Sequence, residues 1–253
     1  MKNSIMNIDK RHKDILDFLE KKEHMTTLEL AEALDVSLST IRRDLHLLEE
    51  KNDIIRKFGY CMFNYENKPD DDHSGPVRIK QALAKEASKF IHDCDTIFIN
   101  ASSTALKTID FLHVDHLTVI TNNLKINYSP HHANYNYVLT GGEMRSKEAL
   151  VGDVAINTLS VINADVCVVG CSGIDLENGV TTKTMSEATI NEIMIKRATR
   201  CKILVADHRK VGVTSKVKMC DISAFDYFIT DQFSSEEMLE EIRKMGVTVV
   251  QVT

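Results

Sequence analysis

The stretch Thr27-Leu-Glu-Leu-Ala-Glu-Ala-Leu-Asp-Val-Ser-Leu-Ser-Thr-Ile-Arg-Arg-Asp-Leu-His-Leu-Leu-Glu49 decides the fold of the N-terminal part of this chain. Thr26-Thr27, followed by Glu29 and Glu32, forms an N-cap region, because a threonine hydroxyl accepts from the orphan amides of a first helical turn. The short helix that opens there turns Leu30, Ala31 and Leu34 inward. Asp35-Val36-Ser37 is a turn with Val36 buried, and Ser37 or Ser39 caps the next helix. That helix places Ile41, Leu45 and Leu48 on one face, at i, i+4 and i+7. Arg42, Arg43 and His46 point elsewhere. Upstream, Ile15, Leu16 and Leu19 mark the apolar stripe of a preceding helix. Downstream, Ile54 to Phe63 is short, β-prone and broken by Gly59, which fits a small hairpin.

Two short helices joined by a tight turn, the second with exposed polar and basic side chains, suit the major groove of B-DNA. Ser37, Ser39, Thr40, Arg42 and Arg43 supply hydroxyls and guanidinium forks within one short window. Arginine can bond guanine bidentately, whereas hydroxyls usually bind phosphate. Arg56 and Lys57 begin the hairpin, where a wing would touch the flanking backbone. Spacing alone also allows a solvated three-helix module that binds protein. Charge does not decide between them. The chain nets −6, and its first 63 residues hold 11 Lys and Arg against 12 Asp and Glu, or 11 − 12 = −1. The DNA reading rests on pattern and local clustering, not on bulk charge.

A hydrophobic content of 43% and a charged content of 27% are those of an ordinary soluble globular protein. No apolar run approaches the roughly 18 residues that span a bilayer. Met1 to Arg11 lacks the apolar segment of a signal peptide. Cys61, Cys94, Cys167, Cys171, Cys201 and Cys220 form no CxxC pair. They read as free thiols of a reducing compartment, which places the chain in the cytoplasm. His113, His116, His131 and His132 lie in polar loop regions and read as surface histidines. Nothing calls for a metal or a cofactor.

Asn64 to Pro76 is polar, with two prolines, one glycine and three adjacent aspartates. It reads as a linker between a unit at 1–63 and a unit at 77–253. Beyond it the hydrophobic period changes. Strand candidates are Thr96–Ile99, Leu117–Ile120, Tyr135–Leu139, Val166–Val169, Lys202–Val205, Tyr227–Ile229 and Val247–Val252. Helix candidates are Lys80–His92, Ser103–Leu112, Val151–Ile162, Ser186–Thr199 and Ser235–Met245. The alternation predicts a Rossmann-like α/β domain, a mainly parallel sheet with helices on its faces. In such sheets ligands bind at the carboxyl ends of the strands. Asn100-Ala-Ser-Ser-Thr104 stands at such an end and opens a helix, which makes an anion site. Thr121-Asn122-Asn123, Gly141–Arg145, Gly170 with Ser172 and Gly173, and Asp207–Gly212 are polar turns at four further ends.

The run Val36-Ser37-x-x-Thr40-Ile41-Arg42-Arg43-Asp44-Leu45 is highly specific, and it resembles the helix-turn-helix of the DeoR family of bacterial sugar-metabolism regulators. Asn52 stands where that family usually has Gly, and Tyr60 replaces the second Gly of its wing. The resemblance continues through Lys80-x-x-Leu83-Ala84-x-x-Ala87, Thr121-Asn122, Gly141-Gly142-x-x-Arg145, Gly152, Glu187-Ala188 and Asp207-x-x-Lys210-x-Gly212. It implies an effector domain similar to ribose-5-phosphate isomerase-type folds that binds a phosphorylated sugar. By carry-over, Ser102, Ser103 and Thr104 hold the phosphate. Lys80 and Lys210 are its cationic partners or bind sugar oxygens. Asn122, Glu143, Arg145 and Asp207 are candidates for the sugar hydroxyls. The family usually has Asp-Ser-Gly-Thr-Thr where this chain has Asn100-Ala101-Ser102-Ser103-Thr104, so the acid and the glycine are both lost.

The resemblance further implies a repressor of a sugar-utilisation operon. It would bind double-stranded operator DNA as a homo-oligomer, dimer or tetramer, and a phosphorylated sugar would release it. The alternative is a sugar-phosphate isomerase with an attached DNA-binding module. Asp207 and Lys210 would then be its acid–base pair, and Asn100 in place of an acid counts against it. Gly141–Arg145 and Asp207–Gly212 look slightly like the lactose phosphotransferase-system repressors, which answer tagatose 6-phosphate.

Overall fold

A computed structural model describes every residue except 1, 23, 51–52, 58–59, 64–74, 130–131 and 146–148; the side chains at 2–9, 20–21, 57, 63, 75–76 and 128 also lie outside the description. Two compact units emerge, Met1–Pro76 and Val77–Thr253. The linker residues 64–74, Asn52, the Phe58-Gly59 turn and His131 fall outside the described residues.

The first unit runs α1 (Lys2–Lys21), β1 (Met25–Thr26), α2 (Thr27–Ala33), α3 (Leu38–Glu50), β2 (Ile54–Lys57) and β3 (Tyr60–Phe63). The strands form an antiparallel sheet in the order β1-β3-β2, which makes the unit a winged helix-turn-helix. Its core joins Ile15 and Leu19 of α1, Leu30 of α2, Ile41, Leu45 and Leu48 of α3, and Ile54 of β2. Thr26 caps α2 through a reciprocal box. Its hydroxyl accepts from Glu29 N at 3.2 Å, and the Glu29 carboxylate accepts from Thr26 N at 2.7 Å. α2 ends in a Schellman turn. Asp35 takes a positive φ of 51°, Val36 N donates to Ala31 O at 3.1 Å, and Asp35 N donates to Glu32 O at 3.3 Å. Aspartate can replace glycine there because its short polar side chain tolerates the left-handed region. Of the two serines, Ser37 is the cap of α3, and its Oγ accepts from Thr40 N at 3.2 Å.

The second fold follows as α4 (Gly75–Ser88), β4 (Thr96–Ile99), α5 (Ser103–Leu106), β5 (Thr118–Thr121), β6 (Asn136–Leu139), β7 (Glu143–Arg145), β8 (Ala149–Val151), α6 (Asp153–Ser160), β9 (Ala164–Gly170), β10 (Gly173–Asp175), β11 (Gly179–Thr182), α7 (Met185–Arg197), β12 (Ala198–Val205), β13 (Val217–Cys220), β14 (Tyr227–Asp231), α8 (Glu236–Lys244) and β15 (Thr248–Val252). Seven strands form a parallel sheet in the order β6-β5-β4-β9-β12-β14-β15. Alternate residues of each strand face opposite layers. Phe98, Ile120, Val169, Leu204 and Phe228 pack with Leu159 of α6, Ile190 of α7 and Leu239 of α8. Ile97, Val119, Val168 and Ile203 pack on the other face with Leu83 and Ala87 of α4. The result is the expected Rossmann-like sandwich. The chain winds outward from β4 to β6, returns to β9, and winds outward the other way. β4 and β9 are therefore neighbours at the point where strand order reverses.

Several details differ from the expectation. α4 begins at Gly75, not Lys80, with Pro76 in its first turn, where a missing N–H costs nothing. Glu143–Arg145 and Gly173–Asp175 are strands of two small antiparallel sheets rather than turns. His132 is not a surface histidine. Its ring lies 4.6 Å from that of Tyr135, and its Nε2 is buried. His113 and His116 are exposed. All six cysteines are free, and burial pushes the Cys167 thiol up to about 12, which keeps it protonated. Among the described residues no helix is long and apolar enough to cross a membrane.

Candidate functional site

On α3 and at its cap, the residues that chemistry singles out lie outside the core. Ser37, Ser39, Arg42 and Arg43 are exposed and Thr40 is half-buried. Ser37 Oγ lies 2.8 Å from both Ser39 Oγ and Thr40 Oγ1, so part of this hydroxyl cluster serves the cap. Arg56 is exposed on β2, but its Nη1 lies 3.5 Å from Glu49 Oε2 of α3. Lys57 pairs through its backbone with Tyr60, and its side chain is outside the description. The residue that sequence reading missed is Asp44. It is buried, and it accepts from Arg11 Nε at 2.5 Å and Arg11 Nη2 at 3.0 Å, with His12 Nε2 at 3.2 Å. That hydrogen bonding holds the Arg11 pKa above its ordinary value. Asp44 therefore pins α1 to α3. A signal for it existed: at three residues after Ile41 and four before Leu48 it stands on the apolar face, where a charge must be paired.

In the second unit the carboxyl ends of β4 and β9 are joined by an amide. Asn100 is 4% exposed. Its Nδ2 donates to Gly170 O at 2.8 Å and to Asn191 Oδ1 of α7 at 3.1 Å; its Oδ1 accepts from Gly170 N at 3.0 Å and Ser102 N at 3.3 Å. Ser102 then caps α5, accepting from Ala105 N at 3.3 Å. Gly170 must be glycine, because a Cβ there would sit 2.1 Å from Ser102 Oγ. Asn123 holds the same loop from β5, its Nδ2 donating to Ser102 O at 3.4 Å. Lys80 of α4 reaches into the site, and its Nζ donates to Ser103 Oγ at 3.4 Å. Thr104 is buried within α5. Asn122 is 1% exposed. Its Nδ2 donates to Leu150 O at 3.0 Å, while its Oδ1 is buried and has no hydrogen-bond partner among the described residues.

The remaining candidates divide. Asp207 lies at the carboxyl end of β12, next to β9, but both of its oxygens are engaged by Arg209. Oδ1 accepts from Arg209 Nε at 2.9 Å and Oδ2 from Nη2 at 2.7 Å. Burial raises the Asp207 pKa, yet the hydrogen bonds and charge of Arg209 and the charge of Lys210 outweigh it and leave the carboxyl below its ordinary value. The carboxylate is thus committed to Arg209 in this structure. His208 turns the other way, with Nδ1 2.9 Å from the buried Asp231 Oδ1. Glu143 and Arg145 sit on β7, which β8 ties to the segment after β5 through the Asn123–Ala149 bridge. Arg145 Nη1 donates to Ser186 Oγ of α7 at 2.9 Å. Among the described residues, no hydrogen bond links Glu143 or Arg145 to Ser102–Thr104.

The chain matches known proteins along nearly its whole length. Residues 11–66 match the DeoR-like helix-turn-helix domain, and residues 77–232 match the DeoR C terminal sensor domain. The HTH-type transcriptional regulator GolR of Listeria innocua is 32% identical over 94% of this chain and 96% of its own. The lactose phosphotransferase system repressor of Staphylococcus aureus is 30% identical over 94% of this chain and 97% of its own. A solved D-ribose-5-phosphate isomerase in complex with phospho-erythronic acid overlaps 53% of each chain at 20% identity and a TM-score of 0.36, too little to bear on chemistry. The chain belongs to the DeoR family, as a transcriptional regulator with an N-terminal helix-turn-helix domain and a C-terminal sensor domain.

Proposed function

We propose that the protein is a cytoplasmic repressor of a sugar-utilisation operon, and that a phosphorylated sugar releases it from double-stranded operator DNA. Residues 1–63 read DNA, 64–76 tether, and 77–253 sense the effector. Limited proteolysis should cut first within the tether. Arg42 and Arg43 meet base edges or phosphate, Ser37, Ser39 and Thr40 the backbone, and Arg56 and Lys57 the flanking duplex. One such helix covers too few base pairs for the usual specific affinity, so the working form is a dimer or tetramer that reads spaced half-sites.

The observation that carries the sensor reading is Lys80 hydrogen-bonded to Ser103 where the strand order of the sheet reverses. An open α/β sheet forms its ligand crevice at that point. A cation beside a loop of hydroxyls and backbone amides suits a phosphate. Lys80 and Lys210 provide its charge partners, with Ser102, Ser103 and Thr104 around it. The unpaired Asn122 Oδ1 calls for a donor, which a sugar hydroxyl supplies. Glu143, Arg145 and Asp207 complete the hydroxyl contacts, Asp207 through its Arg209-held carboxylate. No cofactor, metal or catalytic step is involved.

Operator-binding titrations with pentose and hexose phosphates, tagatose 6-phosphate among them, test the proposal. The matching phosphate should weaken operator binding roughly 5–150-fold, and the free sugar should be inert. At 100 times its Kd it should add about 2.7 kcal/mol of stability in a thermal-shift assay. Lys210→Ala should bind operator and ignore the effector. If Lys210→Ala lets go of DNA at the wild-type effector concentration, the effector site lies elsewhere in the domain.

A further inference from the structure

Leu38 opens α3 and is 39% exposed; Leu28, in the first turn of α2, is 54% exposed. A single exposed leucine needs no explanation. These two line one hollow of about 450 Å³ between α2 and α3. Neither is needed inside, because Leu30, Ile41, Leu45 and Leu48 already fill the core. Leu38 and Arg42, four residues apart, are neighbours on the flank of α3. Ser37 and Ser39 bracket Leu38 with hydroxyls.

The first residues of a recognition helix are the ones that reach base edges. In the major groove an apolar side chain has one specific counterpart, the C5-methyl of thymine. Glu32 and Asp35 also line the hollow, so it repels phosphate. Its apolar wall, formed by Leu28, Ala31, Val36 and Leu38, suits a methyl group. We infer that Leu38, backed by Leu28, reads a thymine methyl beside the base that Arg42 reads. This rests on α3 being the DNA-reading helix. It adds a specificity determinant that works by shape and methyl contact rather than by hydrogen bonding.

The test uses the full chain. Preferred sites are enriched from a random duplex pool, and each thymine of the winning site is then replaced by deoxyuridine, which removes only the methyl. One thymine per half-site should be sensitive, and its replacement should weaken wild-type binding about fourfold, the worth of one buried carbon group. Leu38→Ala should bind the thymine and uracil forms alike. Its salt slope should match the wild type, because no phosphate contact is lost. Leu28→Ala should shrink the uracil effect without abolishing it. An unchanged thermal midpoint would show that both variants are folded, as their exposure predicts. The inference is overturned if no thymine is sensitive, or if the uracil penalty persists undiminished in Leu38→Ala. It is also overturned if Leu38→Ala dissociates the protein into smaller species, which would give the hollow to a second copy. A pool that yields no preferred sequence removes the DNA reading itself, a failure distinct from enrichment without methyl sensitivity.

Discussion

Asn100→Asp would restore the acid that the family usually carries at this place, yet here it should destabilise the sensor domain. The amide works because it donates and accepts at once. Replacing Nδ2 by oxygen sets two acceptors face to face, with Gly170 O at 2.8 Å and Asn191 Oδ1 at 3.1 Å. Asn191 can turn its amide round to donate; the Gly170 carbonyl cannot. One buried carbonyl loses its donor, at about 1–3 kcal/mol. The new carboxylate is buried as well, so it can regain the donor only by protonating. Its folded pKa then lies above its unfolded value near 4. The sign follows: the penalty is absent below about pH 4 and grows by about 1.4 kcal/mol per pH unit until the folded pKa is passed. A total near 2–4 kcal/mol at pH 7 is a large part of the roughly 5–15 kcal/mol of a typical domain. Urea unfolding at pH 7 and pH 4 measures it. Adding Asn191→Lys, which supplies a donor and a charge, should recover at least half the loss. Equal unfolding midpoints for Asn100→Asp and the wild type at pH 7 would refute the account of this clamp.

Asp44→Ala strands Arg11 and cuts the tie between α1 and α3, so it should cost about 2–3 kcal/mol and abolish operator binding with Arg42 and Arg43 intact; gel-shift and thermal melting of the same preparation check both. Glu49→Gln removes the carboxylate 3.5 Å from Arg56 and should tighten binding to any duplex while steepening the salt dependence, as a titration at several salt concentrations would reveal. Asp207, held below its ordinary pKa, favours the fold above about pH 4, and that contribution is lost as pH falls through its folded value. In Arg209→Gln the guanidinium bonds and charge are gone, and only the charge of Lys210 and the backbone N–H of residue 209 still oppose burial at Asp207, so the variant should be about 2 kcal/mol less stable at pH 7, with the gap closing toward pH 3. A gap that stays constant with pH would deny the pairing its role.

The central strands of the large sheet were legible because a parallel strand inside a sheet is buried on both faces and reads as a largely apolar run. Val166–Val169 and Lys202–Val205 are examples, and the structure merely lengthens them to Ala164–Gly170 and Ala198–Val205. The strands at Glu143–Arg145 and Gly173–Asp175 were not legible. Three residues are too few to show alternation, and their partners arrive from elsewhere in the chain. The recognition helix was plain from its 3.6-residue period. The clamp partner Asn191 left no local mark, because it meets Asn100 from 91 residues away. Arg209 stood unread between two motif positions, although an arginine two residues after a buried aspartate is its nearest source of charge.

The changed loop of this chain makes sense only when both of its losses are considered together. A glycine at position 102 would leave the β4–α5 turn without a cap, whereas Ser102 sits at an ordinary φ of −84° and caps α5 with its hydroxyl. Its side chain needs room, and Gly170 gives that room by having none of its own. Asn100 then takes both backbone groups of the same Gly170, which only a side chain with a donor and an acceptor can do. Serine, glycine and asparagine thus form one fitted set across the reversal point of the sheet. The set is neutral, so it adds no negative charge next to a phosphate-sized anion, as an aspartate at position 100 would. In the proposed sensor reading the anion's charge falls to Lys80 and Lys210, so that the amide shapes the loop and the lysines would supply the field. Substitutions at Asn100 should therefore change how firmly the loop is held, and substitutions at the lysines should change whether phosphate is recognised.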